Sequence, residues 1–299
     1  MSDYILSCCS TVDLTPEQLA ARDIHYIPMH YSVNGREYLD DLGKSLSFPD
    51  FYRLMREGAD TKTSQTNIGE YIAYFRPFLE AGKDVFHLSL SSGISGTFHT
   101  VCIALNMLAE EYPERKIFVV DSLAASSGYG LFAETLADLR DEGKTIEELR
   151  DFAEQRRLYL HHWFFSTDLS FYVKGGRISK AAGFFGGMLG ICPLLNMDDG
   201  GHLIPREKIR SRKRVIQSIV DRMAEHAEGG EGYSGRCCIS HSDSYEDARA
   251  VADLIEARFP HLDGRVRINS VGTAIGSHTG PGTVALFFWG DRRTPAEEE

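Results

Sequence analysis

Residues 85–98 read VFHLSLSSGISGTF, an apolar strand followed by a polar, glycine-bearing turn and the start of a helix. The helix is predicted because Phe98, Val101 and Leu105 recur at helical spacing and form one apolar face. Strand, turn and helix in this order are typical of a parallel α/β sheet, which binds ligands beyond the C-terminal ends of its strands. We therefore expect residues 91–95 to lie near a ligand.

The same pattern extends over the first half of the chain. Apolar runs at 4–8, 24–29 and 117–120 also predict strands, and Thr15-Pro16-Glu17 is typical of a helix start. An Asn-Gly pair at 34–35 between alternating residues indicates a β-hairpin with a type I′ turn. We therefore predict an N-terminal, Rossmann-like α/β domain with a parallel sheet over residues 1–159 and a small β-hairpin excursion near residues 31–46.

The second half is predicted to be an α+β domain over residues 160–290, with the ligand between the two domains. Residues 191–197 and 202–209 are typical of a hairpin around an Asp-Asp-Gly-Gly turn. Other elements are expected as helices near 211–227 and 245–258, and as strands near 163–166, 236–240, 266–271 and 283–289. Residues 291–299 form an acidic tail that we expect to be frayed.

Composition narrows the classes of function. The chain has 299 residues, enough for two domains, and a net charge of -11, which disfavours nucleic acid as a partner. The N-terminus does not resemble a signal peptide, so we expect a cytoplasmic protein. The most apolar stretch, residues 181–193, is shorter than the ~20 residues of a membrane span, so we expect no stable membrane insertion.

Cysteines and aromatic residues are expected to be structural. The adjacent pairs Cys8-Cys9 and Cys237-Cys238 lie in apolar runs without C-x-x-C spacing, so buried, reduced thiols are favoured over disulfides or zinc ligands. We expect no metal and no cofactor. Four phenylalanines could line a cavity, although we favour core positions for most of them: Phe164, Phe165, Phe184 and Phe185.

Three polar segments together indicate one oxyanion site: Thr63-Ser64-Gln65, residues 91–96 and the sequence from His278 to Gly282. Hydroxyls, open backbone N–H groups and an imidazole can hold a carboxylate or phosphate without a metal. Ser95 is placed to cap the helix that begins near Thr97. Considered alone, the Thr63 segment is better explained as an ordinary capping turn than as a binding site. His278 lies beside a rigid turn at the start of a predicted strand, where structural and functional roles are about equally common.

An enzyme acting on a small anionic substrate is the main alternative. Ser95, His278 and Asp121 are the residue types of a serine hydrolase, but the chain has no G-x-S-x-G elbow. A phosphotransferase would need phosphate-binding machinery, and the sequence has neither a P-loop nor a G-x-G-x-x-G signature. A sensor that engages different partners with and without its ligand is a third hypothesis.

Five motifs in this order resemble the DegV family of bacterial fatty-acid-binding proteins: TSQ followed by GEY, SSGISGTF, VVDSLAASSGYG, FYVKGGRIS and IGSHTGPG. The resemblance implies a two-domain α/β fold that buries one long-chain fatty acid, such as palmitate or oleate. It also implies a carrier rather than an enzyme. It further implies a partner, because in some bacteria similar proteins present the fatty acid to a separate fatty-acid kinase, which phosphorylates the carboxylate for phospholipid synthesis.

The resemblance also assigns site residues. The implied carboxylate ligands are Thr63, Ser95 and His278, with Ser64 and Ser92 close by. Arg177 and Gly280 are implied contacts of the ligand or partner, and a structural role for Arg177 in tying loop carbonyls together is equally open. Cys8-Cys9 stands where similar proteins read Thr-Asp, which weakens any acid–base role at that position.

A basic cluster follows the predicted hairpin: Arg206, Lys208, Arg210, Arg212, Lys213 and Arg214. With Glu207 as the intervening acid, its formal charge is 6 - 1 = +5. A solvated face is the usual explanation for such a cluster. A docking surface for the kinase is the competing hypothesis, with Arg206, Lys208, Arg210 and Arg212 as its contacts.

Overall fold

A computed structural model of the chain describes residues 4–178 and 191–295. Its strands are β1 (Tyr4–Cys9), β2 (Ile24–Ile27), β3 (His30–Val33), β4 (Arg36–Leu39), β5 (Thr61–Ser64), β6 (Asp84–Ser89), β7 (Ile117–Asp121), β8 (Leu160–Ser166), β9 (Ile191–Met197), β10 (Leu203–Arg210), β11 (Cys238–His241), β12 (Arg267–Ser270) and β13 (Thr283–Trp289). Its helices are α1 (Pro16–Ala21), α2 (Phe48–Arg56), α3 (Ile68–Glu80), α4 (Thr97–Glu111), α5 (Ser126–Asp141), α6 (Ile146–Arg156), α7 (Ser170–Lys174), α8 (Arg212–His226), α9 (Tyr245–Arg258) and α10 (Thr273–Thr279).

A parallel sheet in the order β2-β1-β6-β7 forms the centre of the first half, as predicted. The central strands β1 and β6 are buried on both faces, and Leu6, Phe86 and Leu88 have no solvent exposure. The turn after β6 and the end of β7 meet at the C-terminal edge of this sheet, where the Ser92 N–H donates to Asp121 Oδ1 at 3.2 Å. Residues 91–95 therefore lie where the strand–turn–helix pattern places them.

A smaller antiparallel sheet, β4-β3-β5, lies beside the parallel sheet. Asn34 and Gly35 have φ angles of 51° and 80°, which fits the predicted type I′ hairpin. Thr63 pairs with Tyr31 on β3, so the expectation of a simple capping turn at Thr63 is wrong. The cap of α3 is instead Asn67, whose side chain accepts the Glu70 N–H in a capping box.

The second half contains a mixed sheet in the order β10-β9-β8-β13-β11-β12. The predicted hairpin forms from β9 and β10, and Ser211 caps α8 by accepting the Arg214 N–H. Along β13, Ala285 and Phe287 belong to the core that faces the first half, whereas Val284 and Leu286 belong to the core beneath α8 and α9. This period-2 alternation gives the sheet one face toward the cavity described below.

Several sequence-based expectations need correction. Gly96, not Ser95, is the N-cap of α4, although Ser95 Oγ accepts the Thr97 N–H at 3.2 Å. α10 was not predicted from the sequence, and His278 lies in its last turn, just before the turn at residues 280–282 that leads into β13. The tail is not frayed from its start, because the Asp291 N–H donates to the His226 carbonyl and the Arg293 N–H donates to the Leu158 carbonyl.

Other expectations are confirmed or lie outside the described residues. The cysteines are free, and both adjacent pairs are buried. Within residues 4–178 and 191–295, no helix has the length and apolar character needed to cross a membrane. Phe184, Phe185 and most of the apolar stretch 181–193 lie outside the described residues. The domain boundaries stay a prediction.

Candidate functional site

A cavity of about 860 Å³, including its open mouth, lies between the C-terminal edge of the parallel sheet and one face of the mixed sheet. The wall is mostly apolar, with side chains from both halves of the chain: Met29, Leu90, Ile94, Ala125, Phe164, Met197, Leu203, Val271, Ala274, Ile275, Ala285 and Phe287. Of the two phenylalanines considered on β8, Phe164 lines the cavity and Phe165 packs in the opposite core.

Three hydroxyl and imidazole groups line the cavity from the three segments predicted to form an oxyanion site: Thr63, Ser95 and His278. Thr63 Oγ1 on β5 lies 2.6 Å from His278 Nε2 on α10. Ser95 Oγ, in the turn before α4, lies 2.8 Å from Thr97 Oγ1. The fold thus brings together residues that are far apart in sequence.

Gln65 links two of these segments. Its side-chain Nε2 donates to Thr100 Oγ1 at 2.9 Å, and a Cβ added at Gly96 would lie 2.9 Å from Gln65 Oε1. A larger residue at position 96 would therefore require the Gln65 side chain to move from this position. The contact holds the turn before α4 against the end of β5, which fixes Ser95 relative to Thr63.

The imidazole of His278 is neutral near pH 7. Burial, followed by the nearby Arg177 charge, lowers the pKa of His278 to about 4. Its Nδ1 atom is buried without a hydrogen-bond partner, and a Cβ added at Gly175 would overlap it. The ring is therefore held between Thr63 and the Gly175 backbone, and Nε2 is the ring atom that takes part in hydrogen bonding.

Arg177 supplies positive charge beside this group. Its Nε donates to the Ile94 carbonyl at 3.2 Å and its Nη1 donates to the Gly175 carbonyl, so it ties two loops together. Burial lowers the pKa of Arg177, but an arginine remains charged at neutral pH. Among the described residues that line the cavity, it is the only one with a formal charge at neutral pH.

The structure separates other candidate residues from the cavity. Ser64 and Ser92 are exposed and lie outside its lining. Gly280 has φ of 65°, and a Cβ there would overlap the Phe171 ring. Backbone conformation and packing therefore explain the glycine, and no contact with a ligand is needed to account for it. Asp121 accepts the backbone N–H groups of Ser92 and Leu123. No hydrogen bond recorded among the described residues joins Asp121, His278 and Ser95 as a hydrolase triad would require.

Five polar residues of the cavity wall were not identified from the sequence: Thr11, Ser126, His162, Tyr172 and Thr283. Thr11 Oγ1 is buried and has no hydrogen-bond partner, so it is an unsatisfied group at the cavity wall. Ser126 donates to Asp13, whose pKa burial raises to about 8. Ser126 and Thr11 follow β7 and β1, so the rule that ligands bind beyond parallel strands was the signal that could have identified them.

The basic cluster lies apart from the cavity lining, on β10 and the start of α8. β10 is an edge strand of the mixed sheet. Arg206 Nε donates to Asn196 Oδ1 at 2.8 Å, and Arg212 forms an ion pair with Asp247 at 2.6 Å. Lys208 and Arg210 are exposed residues of the same strand. The cluster is therefore a surface feature that includes paired charges.

Comparisons with known proteins agree with this architecture. A family model described as an uncharacterised protein of the DegV family matches residues 9–291. A DegV domain-containing protein of Clostridium perfringens is 32% identical over 295 residues, which cover 99% of this chain and 100% of the relative. A DegV family protein of Thermus thermophilus, described by its fatty acid binding, has a TM-score of 0.85 and 26% identity, with 96% of this chain and 99% of that chain covered. DegV of Bacillus subtilis, described as a fatty acid binding protein, has a TM-score of 0.82 and 27% identity over the same shares.

Proposed function

The chain belongs to the DegV family, and from this premise we propose that it binds one long-chain fatty acid, such as palmitate or oleate, in the cavity. Thr63, Ser95 and His278 hold the carboxylate, and the apolar wall encloses the chain. The observation that carries the proposal is a mostly apolar cavity in which Arg177 is the one formal charge among the described lining residues and stands with three neutral hydrogen-bonding groups. Fatty acid binding by the similar proteins of Thermus thermophilus and Bacillus subtilis supports it.

The energetics favour a long acyl chain over a small anion. Each buried CH₂ group contributes about 0.8 kcal/mol, so a palmitate tail supplies on the order of 10 kcal/mol before the costs of binding. A hydrogen bond between a neutral donor and the carboxylate adds about 1.5–3 kcal/mol. The tail therefore supplies most of the affinity, and the polar group fixes the position of the carboxylate.

Calorimetric titration of the delipidated protein with palmitate, 1-hexadecanol and acetate measures the separate contributions of the tail and the carboxylate to the affinity. We expect one palmitate per chain, weaker binding of hexadecanol because it lacks the charge, and no measurable binding of acetate because it lacks the tail. Acetate binding as tight as that of palmitate would contradict the proposal and favour an enzyme for small anions.

We further propose that the protein is a carrier that presents the carboxylate to a separate fatty-acid kinase in the cytoplasm, where a kinase has access to ATP. The neutral His278 is bonded to Thr63 rather than to Ser95, which supports a binding role over activation of a serine. We expect His278→Ala to weaken fatty acid binding only modestly and to reduce phosphorylation of the bound acid more severely. Equal losses in the two assays would contradict this role.

The basic cluster is proposed as the surface that docks the kinase. Reversal of Arg210 and Arg212 to glutamate should abolish kinase coupling and leave fatty acid binding unchanged, since neither residue lines the cavity. Arg265→Glu provides a matched control, because Arg265 is an exposed arginine paired with Glu256 outside the cluster. Unchanged coupling in the double variant would exclude this surface.

A further inference from the structure

Two histidines and one aspartate, remote in sequence, bring their ligating atoms within 4.8 Å of one another: His161, His226 and Asp291. His161 lies on β8, His226 is the last residue of α8, and Asp291 follows β13. His161 Nε2 lies 2.9 Å from Asp291 Oδ1, and His226 Nδ1 lies 3.2 Å from Asp291 Oδ2. One nitrogen from each imidazole thus faces the same carboxylate.

The backbone holds these residues in place independently of their side chains. The Asp291 N–H donates to the His226 carbonyl at 2.9 Å, and the Gly290 N–H donates to the Tyr159 carbonyl at 2.8 Å. The His161 ring is buried between two other rings, with centroid distances of 5.0 Å to His226 and 5.2 Å to Phe288. The arrangement needs little ordering to accept an ion, which reduces the entropy cost of binding.

Two of the three side chains are partly open to solvent. His226 and Asp291 have side-chain exposures of 31% and 60%, and they border a surface cleft. Four arginines line the same cleft: Arg206, Arg222, Arg292 and Arg293. Glu207 and Glu225 pair with Arg222 at 2.5 Å and offset part of this positive charge, so the ligands must bind the ion strongly enough to overcome the rest. The cleft also leaves space for a water molecule or another small ligand beside the three side chains.

We propose that His161, His226 and Asp291 form a binding site for a divalent ion of the zinc class. Two imidazole nitrogens and one carboxylate oxygen suit Zn²⁺ or Co²⁺ better than Mg²⁺ or Ca²⁺, which prefer oxygen ligands. Zinc takes such ligands at about 2.0–2.2 Å, so binding requires the partly exposed His226 and Asp291 side chains to rotate about a common ion. A fourth position remains for water.

The bound ion would connect three parts of the fold: β8, the end of α8 and the segment after β13. Binding to the folded state alone raises the unfolding temperature as the ion concentration rises above the dissociation constant. The site is formed by residues that do not line the fatty acid cavity, so its existence does not depend on the proposed function.

Titration of the chelator-treated, full-length protein with Co²⁺ and Zn²⁺ tests the site. We expect one ion per chain, the visible absorption of four-coordinate Co²⁺ and a rise in unfolding temperature with Zn²⁺. Asp291→Asn and His226→Ala should each lower Zn²⁺ affinity by more than about 100-fold, beyond the loss typical of outer-shell partners. These partly exposed residues are preferred to His161, whose loss would disturb the buried ring stack.

His202→Ala is the matched control. His202 Nδ1 lies 3.3 Å from Asp198 Oδ1, which gives a histidine–aspartate pair without a third ligand in the described chain. Its replacement should leave Zn²⁺ affinity unchanged. Absence of stoichiometric binding, or equal affinity in the parent protein and both site variants, would overturn the proposal.

Discussion

Thr63→Val isolates the hydroxyl that the account assigns to the carboxylate. Valine keeps the shape and the β-branched side chain of Thr63 on β5, but it removes the oxygen that lies 2.6 Å from His278 Nε2. A hydrogen bond to a charged group is worth about 1.5–3 kcal/mol, so the dissociation constant for palmitate should rise about 10- to 150-fold. 1-Hexadecanol forms only neutral hydrogen bonds, each worth about 0.5–1.5 kcal/mol, so its dissociation constant should rise only roughly 2- to 13-fold.

Calorimetric titration of both ligands measures this difference directly. Ser64→Ala is the matched control, because the Ser64 side chain is exposed outside the cavity, and it should change neither constant. Thr63→Ser should restore most of the palmitate affinity, since it restores the hydroxyl. A thermal unfolding curve for each variant separates a binding effect from lost stability. Equal changes for palmitate and hexadecanol, or none for either, would refute the assignment of Thr63 to the carboxylate.

Three further predictions follow from the cavity. Arg177→Met should weaken palmitate binding at least about tenfold and hexadecanol binding much less, because the charge of Arg177 acts only on the anion. Calorimetric titration measures both affinities. Equal losses for the two ligands would indicate that Arg177 has only a structural role. Ala285→Phe should fill part of the cavity and weaken palmitate binding more than laurate binding, whereas Leu286→Met, on the opposite face of β13, should not discriminate between these chain lengths. The unfolding free energy should fall as the pH is lowered from 6.5 to 4, because His278 gains a proton near pH 6.5 in the unfolded chain and only near pH 4 in the folded protein. Urea titrations at pH 7.5 and pH 5 measure this fall. It should be smaller in the His278→Gln variant than in the parent protein.

Local sequence patterns predicted much of the architecture because each pattern has a direct structural cause. The apolar run before residue 91 needs burial on both faces, and the Asn34-Gly35 pair tolerates two positive φ angles. Polar segments at the boundaries of predicted strands and helices then pointed to Thr63 and Ser95. These features depend on neighbours in the chain, so they can be read without a structure.

Elements stabilised mainly by tertiary contacts were not predicted. The sequence of β5, TKTS, is too polar to be predicted as a strand. The alternation of side chains along this strand, which turns Thr63 inward and leaves Ser64 exposed, was therefore not recognised. α10 contains Gly276, a poor helix former, but a Cβ there would lie 2.5 Å from Tyr52 Oη, so packing requires the glycine. Thr11 and His162 reach the cavity only because the two sheets face each other.

Native mass spectrometry of the purified protein, followed by solvent extraction, tests the central claim most directly. We expect a stoichiometric adduct that extracts as a long-chain fatty acid, and less of this adduct in the Thr63→Val variant. A clean apo mass, together with no uptake of added palmitate or oleate by the folded protein, would contradict the assignment of the cavity to a fatty acid.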